Sequence, residues 1–162
     1  IGGGEYTCFL NGNENACTPE MFVRYAQIAA LMPVMQFSAS PWRVLPEADL
    51  QRVKEALALR EKCLPEILAA VECAKSTGEP IARSMEFVFP GQGMERVMDQ
   101  FMIGDALLVA PVWKQGEASR SVRLPEGQWR CVGLGAAEGD VLTGGRDVVL
   151  GENDGLIVLR KE

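Results

Sequence analysis

The most informative stretch of this sequence is DQFMIGDALLVAPV, which covers Asp99–Val112. Near its centre is a polar pair, Gly104 and Asp105, of the kind that forms a tight turn. A short apolar run follows and is stopped by Pro111, which has no amide proton to give to a neighbouring strand. Because a short apolar run bounded by a turn and a proline is typical of a buried strand, we expect one within Ala106–Val112.

The same pattern continues through the C-terminal half of the chain. Extended segments are expected at Pro80–Arg83 and Met85–Phe89, and later apolar runs at Ser121–Leu124, Trp129–Val132, Val141–Leu142, Val148–Leu150 and Leu156–Leu159. Turn signals separate these runs, among them Pro125-Glu126-Gly127 and Asn153-Asp154-Gly155. Many short strands with regular turns predict an antiparallel β-sandwich or open barrel over residues 79–162.

The N-terminal half has helical signals instead. After a loop over residues 1–18, Thr18 and Pro19 supply a hydroxyl cap and a proline at the first helical position, and Pro33 ends that helix. A second helical region is expected over Pro46–Thr77, stopped by Gly78 and kinked or divided by Pro65. Its expected apolar stripe is Leu50, Val53, Leu57, Leu64, Ile67, Leu68 and Val71.

A short strand is expected between the two helical regions. Val34–Phe37 is mostly apolar, and the loop Ser38–Leu45 follows it. The order helix, strand, helix with short connections is typical of an α/β barrel, although so few elements cannot close one. We therefore predict an α+β chain with a boundary near residue 78, with residues 1–78 mainly helical and residues 79–162 forming the sandwich.

Composition excludes several classes of function. Of the 162 residues, 48% are apolar and 23% are charged, and the net charge of −6 disfavours a nucleic-acid partner. No apolar run approaches the ~20 residues that span a bilayer, so no membrane partner is expected. The chain has no histidine. This excludes Ser-His-Asp and Cys-His catalysis and histidine metal ligands within it.

The cysteines point to a reducing compartment. There are five of them, an odd number, and none of them forms a CxxC pair: Cys8, Cys17, Cys63, Cys73 and Cys131. This usage favours free, buried thiols and a cytoplasmic location.

Several segments, taken in order, resemble family 31 of the glycoside hydrolases, the α-glucosidase and α-xylosidase family. They are Ile1–Gly3, Tyr25–Gln27, Ala30–Ser38, Gly78–Arg83, Asp99–Val112 and Leu124–Trp129. The Asp99–Val112 block is the most specific and resembles the segment that opens the β-sandwich after the catalytic barrel. The resemblance implies that residues 1–78 are the last helix–strand–helix elements of a (β/α)8 barrel. It also implies that the chain is the C-terminal part of a larger, retaining α-glycoside hydrolase.

The resemblance also implies that the catalytic residues lie elsewhere in that larger enzyme. Family members use a nucleophilic carboxylate and an acid/base carboxyl, both upstream of the glycine motif that Ile1–Gly3 resembles. The chain alone is therefore expected to be inactive, and the enzyme to need no metal or organic cofactor. We expect Glu5, Glu14, Glu20 and Asp105 to be solvated or capping carboxylates.

What the chain can supply is one wall of a carbohydrate site, because loops after the strands of a barrel build its active site. The resemblance places Gly2-Gly3-Gly4, Gln36, Ser38 and Trp42 near the sugar. Gln36 and Ser38, where arginine and histidine are common in the family, could bind sugar hydroxyls or satisfy backbone groups at a strand end. Trp42 could be a platform for a sugar face or could anchor its loop against the core.

Two rival interpretations belong to other classes of protein. The chain could be a stand-alone carbohydrate-binding sandwich module, or a structural segment that completes a barrel on another polypeptide. The exposed apolar faces of residues 1–78 are expected to pack against the sandwich or against a second copy of the chain. Self-association therefore remains open from the sequence.

Overall fold

Helices precede Gly78 and strands dominate after it in the computed structural model, which describes residues 1–2, 17–134, 137–151 and 155–162. The helices are α1 Pro19–Ala30, α2 Pro41–Val44, α3 Glu47–Thr77 and α4 Met85–Val88. The strands are β1 Ala82–Ser84, β2 Phe101–Ile103, β3 Leu107–Ala110, β4 Arg120–Leu124, β5 Gln128–Cys131, β6 Val141–Thr143, β7 Arg146–Leu150 and β8 Ile157–Lys161. The strand in the Asp99–Val112 stretch is confirmed as β3.

The strands form two antiparallel sheets. Six strands pair in the order β1-β2-β3-β8-β5-β6, and β4 pairs with β7 in a second sheet. The core between the sheets contains Trp129 and Leu108 from the large sheet and Val122 and Leu124 from the small one. The predicted antiparallel sandwich is therefore confirmed.

The helices cover the other face of the large sheet. Five buried residues of α3 pack against this face: Ala56, Leu59, Cys63, Ile67 and Ala70. Ile103, Leu107, Val109 and Val158 of the sheet meet them. Both faces of β3 and β8 are covered. This explains why their sequences contain continuous apolar runs rather than alternating apolar and polar residues. The predicted packing of the helical half on the sandwich is confirmed.

The turn between β2 and β3 fits closely under α3. Gly104 has a φ of +53°, and a Cβ at this position would lie 3.2 Å from the Cβ of Ala70. The left-handed backbone and the nearby helix together favour glycine here. The Gly104-Asp105 turn of the sequence is thus also a packing contact.

The predicted start and end signals of the helices are confirmed. The Thr18 hydroxyl accepts a hydrogen bond from the amide of Met21 at 3.2 Å, and Pro19 occupies the first turn of α1. Gly78 follows α3 in a left-handed conformation with φ of 78°. Such a residue ends a helix because only glycine adopts that conformation without strain.

Some local predictions are wrong. Within the described residues no strand covers 34–37, the expected loop contains the short helix α2, and the expected extended segment Met85–Phe89 begins with α4. The cap of α4 is Ser84, whose hydroxyl accepts from the amide of Phe87 at 3.3 Å. Pro65 lies inside α3 without dividing it. It is exposed, so water can reach the carbonyl that lacks its amide partner.

The buried stripe of α3 also differs from the predicted one. Val53 and Ile67 are buried, whereas Leu57, Leu64 and Leu68 are 36%, 38% and 54% exposed. The buried positions include small residues instead, because the helix lies close to the sheet and large side chains do not fit there.

Arg60 of α3 binds the C-terminal end of α1. Its guanidinium donates to the carbonyls of Ala30 at 2.8 Å, Met32 at 2.5 Å and Pro33 at 3.1 Å. The last carbonyls of a helix have no partner within the helix, and a cation is favourable at that end. Arg60 therefore fixes the direction in which the chain leaves α1 and enters residues 34–38.

Replacing Arg60 by methionine should lower the free energy of unfolding by about 1.5–3 kcal/mol, because three carbonyls lose a charged donor. Urea denaturation followed by circular dichroism measures this change. The control is Lys54→Met, at an exposed position of α3 where the ion pair with Glu47 is 3.5 Å long and should contribute at most about 1 kcal/mol. Equal losses in the two variants would contradict this role of Arg60.

Candidate functional site

The first residue of the chain pairs with the segment that follows α1. The amino group of Ile1 donates to the carbonyl of Gln36 at 2.7 Å, and the carbonyl of Ile1 accepts from the amide of Ser38 at 2.9 Å. One residue that bonds to two residues two positions apart is the pattern of neighbouring parallel strands. The segment expected to be a strand is thus extended and paired at Ile1, although no regular strand is formed.

Residues 34–39 alternate between two faces. Met35, Phe37 and Ala39 pack against a small core around Phe22 of α1. Val34, Gln36 and Ser38 are exposed on the other face, as expected for an extended chain in which successive side chains point to opposite sides. The structure therefore brings Gln36 and Ser38 to one face.

The Ser38 side chain also binds the backbone. Its hydroxyl donates to the carbonyl of Ile1 at 2.8 Å, beside the bond from its own amide. This is the backbone role that the sequence left open.

Trp42 lies on the short helix α2 with its ring exposed. Pro41, the first residue of α2, is buried, and Val44 and Leu45 pack against the small core around Phe22. The Trp42 side chain is 71% exposed. The interpretation of Trp42 as an anchor against the core is therefore wrong, because its neighbours hold the loop.

Gly2 makes the close approach at this edge possible. Its φ is +98°, and a Cβ would lie 2.8 Å from the Cβ of Ala39 and 3.1 Å from the Phe22 ring. Any larger residue would push the two chain segments apart.

Gly3 and Gly4 of the glycine motif lie outside the described residues, as do most of the predicted loop 1–18, Glu5, Glu14, Cys8 and the first two residues of the Asn153-Asp154-Gly155 turn.

Two of the acidic residues have structural partners, as expected for capping carboxylates. Asp105 accepts from the buried guanidinium of Arg83 at 2.6 Å. Glu20 accepts from the amide of Gly116 at 2.8 Å and from Arg24 at 2.7 Å. These hydrogen bonds, the one from Gly116 first, lower the pKa of the Glu20 carboxyl from its usual 4.5.

Arg24 connects α1 to the sandwich. It is 6% exposed and donates to the carbonyls of Val112 and, at 2.7 Å, Glu117, in addition to Glu20. We call the contacts among Glu20, Arg24, Val112, Gly116 and Glu117 the α1 clasp. No sequence pattern indicates the clasp, because its two halves lie about 90 residues apart in the chain.

The tryptophans of the sandwich differ from each other. Trp129 is buried, donates from Nε1 to the carbonyl of Pro125 at 2.9 Å and meets the Phe89 ring edge-on at 5.9 Å, so it packs in the core. Trp113 is 56% exposed and therefore lies outside the core.

The described residues contain four cysteines, Cys17, Cys63, Cys73 and Cys131, and the last three are free thiols. Cys63 and Cys131 are buried, whereas Cys17 and Cys73 are partly exposed. Burial raises the pKa of the Cys63 thiol. Across the described ranges no helix is long and apolar enough to cross a bilayer, and no three His, Cys, Asp or Glu side chains are grouped to hold a metal ion.

Comparison with known proteins identifies the family. The sequence profile described as "Glycosyl hydrolase family 31 C-terminal domain" matches residues 78–149, from the residue that ends α3 into β7. Residues 78–149 are therefore a family 31 C-terminal domain. The family 31 match covers most of the sandwich, so the fold and the sequence agree on the same part of the chain.

Relatives extend the likeness into the helical half. The myogenesis-regulating glycosidase of Mus musculus is 38% identical over 133 residues, 80% of this chain and 19% of that protein. The 1,6-alpha-glucosyltransferase of Sporosarcina globispora is 29% identical over 145 residues, 85% of this chain and 11% of that protein. A family 31 α-xylosidase from a soil metagenome, solved with xylose, has a TM-score of 0.76 and 27% identity, and covers 89% of this chain and 25% of that one. The chain thus spans a quarter or less of the length of these relatives.

Changing Glu20 to glutamine should destabilise the protein most at neutral pH. A carboxyl with a lowered pKa in the folded state stabilises the fold above its unfolded pKa, and this stabilisation is lost as the pH falls through the folded value. The difference in unfolding free energy between the wild type and Glu20→Gln should therefore be constant above about 5 and shrink below the usual pKa of 4.5.

Urea titrations at several pH values measure that difference. Glu55→Gln, at an exposed position of α3, is the matched control and should show no such dependence. A Glu20→Gln difference that is the same at pH 3 and pH 7 would contradict the electrostatic role of the clasp.

Proposed function

We propose that this chain is the C-terminal portion of a retaining α-glycoside hydrolase. In this proposal residues 1–78 are the last helix–strand–helix elements of a catalytic (β/α)8 barrel, and residues 79–162 are the sandwich that follows it. The catalytic carboxylates belong to the rest of the barrel. The named glycosidases among the relatives support this assignment, since each is much longer than the present chain.

The observation that carries the proposal is the parallel pairing of Ile1 with residues 36–38. Parallel strands joined by a helix, here α1, are the repeating unit of a (β/α)8 barrel, and such barrels build their sites at the carboxyl ends of the strands. Gly2 follows Ile1 in the chain, and Ser38 is the last residue of the paired segment 36–38. They therefore belong to the edge at which a sugar would bind.

Gln36, Ser38 and Trp42 then supply one wall of the sugar pocket. Gln36 and Ser38 share an exposed face, and their amide and hydroxyl groups match sugar hydroxyls as donors and acceptors. The exposed Trp42 ring offers a flat apolar surface. Ser38 stands where many α-glucosidases of the family have a histidine that hydrogen-bonds the sugar, so the proposal assigns no α-glucose preference to this wall.

Transfer is a second candidate reaction, favoured by the relative named as a glucosyltransferase. A retaining enzyme forms a covalent glycosyl intermediate, and either water or a second sugar hydroxyl can accept it. Product analysis with and without an added acceptor sugar distinguishes hydrolysis from transfer.

The purified 162-residue chain should not hydrolyse aryl α-glucosides, α-galactosides or α-xylosides. Retaining hydrolysis needs two carboxyl groups roughly 5 Å apart, on either side of the scissile bond. Glu20 and Asp105 are each held by an arginine, Arg24 and Arg83 respectively. Release of the aryl group measures activity. Turnover that survives repurification and disappears when a carboxylate of this chain is mutated would overturn the proposal.

In the larger enzyme, Ser38→Ala should lower kcat/KM about fivefold. The loss of one neutral hydrogen bond to the sugar corresponds to about 1 kcal/mol of transition-state stabilisation. Ser40→Ala is the matched control, since Ser40 precedes α2 without a side-chain capping bond. Steady-state kinetics and thermal unfolding are measured on both variants. Unchanged kcat/KM for Ser38→Ala would restrict Ser38 to its backbone contact with Ile1.

A further inference from the structure

A second aromatic pocket lies on the other side of α1, between that helix and the segment after β3. Its volume is about 380 Å³, within the range of small-molecule sites. Tyr25 and Trp113 line it and are 50% and 56% exposed. Met21 and Ile28 add apolar surface from α1, and Thr18 and Gln115 add polar groups.

The α1 clasp holds the two walls of this pocket together. Tyr25 follows Arg24 in the sequence, and Trp113 follows Val112, the residue whose carbonyl Arg24 binds. Gly116, just beyond the pocket residue Gln115, donates to Glu20 at 2.8 Å. Each aromatic ring is therefore carried by backbone next to a buried charged contact. Binding then costs less conformational entropy, because the ligand does not have to order the pocket.

The chemistry of the pocket suits an uncharged ligand with one apolar face. Its charged lining residues, Glu20 and Arg24, are paired with each other at 2.7 Å. Its other polar side chains, Thr18 and Gln115, are neutral and can both donate and accept. Lys114 lies over the Trp113 ring, 5.7 Å from its centroid, so a ligand would use the opposite face. A purely apolar ligand would offer no hydrogen bond to the Gln115 amide or to the Thr18 hydroxyl proton, which it would cut off from water.

We propose that this pocket is a second carbohydrate-binding site, which takes a neutral pyranose between Tyr25 and Trp113. The ring C–H groups of the sugar pack on the aromatic faces, and its hydroxyls bond to Thr18 and Gln115. The site is distinct from the wall formed by Gln36, Ser38 and Trp42. It goes beyond the proposed function because it requires no catalytic carboxylate and is complete within this chain.

The test is a titration of the 162-residue chain with maltose, isomaltose and xylose, followed by calorimetry and by ligand-observed NMR. Saturable binding in the millimolar range is expected for at least one sugar. Sorbitol, which has hydroxyls but no ring, should not bind. Absence of saturable binding by any of the three sugars overturns the proposal.

Matched variants locate the binding site. Trp113→Leu should weaken binding at least about tenfold, and Tyr25→Ala should also weaken it, because each removes an aromatic face. Phe87→Leu, at an exposed aromatic position of α4 outside both proposed sites, is the matched control and should leave binding unchanged. Trp42→Leu removes the exposed aromatic residue of the proposed catalytic wall and tests whether the sugar binds there instead. Near-ultraviolet circular dichroism, to which the buried Trp129 contributes, confirms that each variant is folded.

Binding lost in Trp42→Leu and kept in Trp113→Leu overturns the second site and supports the catalytic wall instead. The failures of the two proposals are therefore distinguishable. The second site fails on the Trp113 and Tyr25 variants of this chain, whereas the hydrolase proposal fails if the chain alone hydrolyses aryl α-glycosides through one of its own carboxylates.

Discussion

The buried guanidinium of Arg24 is the constraint on which the arrangement of the helices depends. A charged group that is 6% exposed must have its donors satisfied, because an unpaired buried charge costs several kcal/mol. Arg24 meets this requirement only when Glu20 and the carbonyls of Val112 and Glu117 surround it together. These partners come from α1 and from the segment after β3. The helix can therefore dock on the sandwich in one position.

That docking position has consequences for both candidate sugar sites. With α1 fixed at one end by Arg24, Arg60 of α3 fixes the other end through three carbonyls. The chain then leaves α1 along a defined path, which places Gln36 and Ser38 on an exposed face beside Ile1. The same docking places Tyr25 and Trp113 on the walls of one pocket. Two arginines thus determine where the polar and aromatic side chains of each site lie.

The sequence predicted those elements whose signals are local. Pro111 and the Gly104-Asp105 turn bounded β3 correctly, and Thr18 and Gly78 marked helix ends, because caps and turns depend on a few adjacent residues. The buried face of α3 was predicted poorly. Periodicity favours the large leucines, whereas the close approach to the sheet selects Ala56, Cys63 and Ala70. A strand over residues 34–37 could not form for a related reason, since a strand needs neighbours and Ile1 supplies a single pair of bonds.

The candidate sites show the same division between local and distant causes. Family resemblance pointed to Gln36, Ser38 and Trp42, and the structure places the first two on one face and leaves the Trp42 ring exposed. The family resemblance could not indicate the pocket lined by Tyr25 and Trp113. These residues lie 88 positions apart, and the buried Arg24 contact holds their two segments together. A tryptophan next to a strand normally predicts a core residue. Only the clasp, which fixes the backbone on either side of an exposed ring, distinguishes a pre-organised binding surface from ordinary packing.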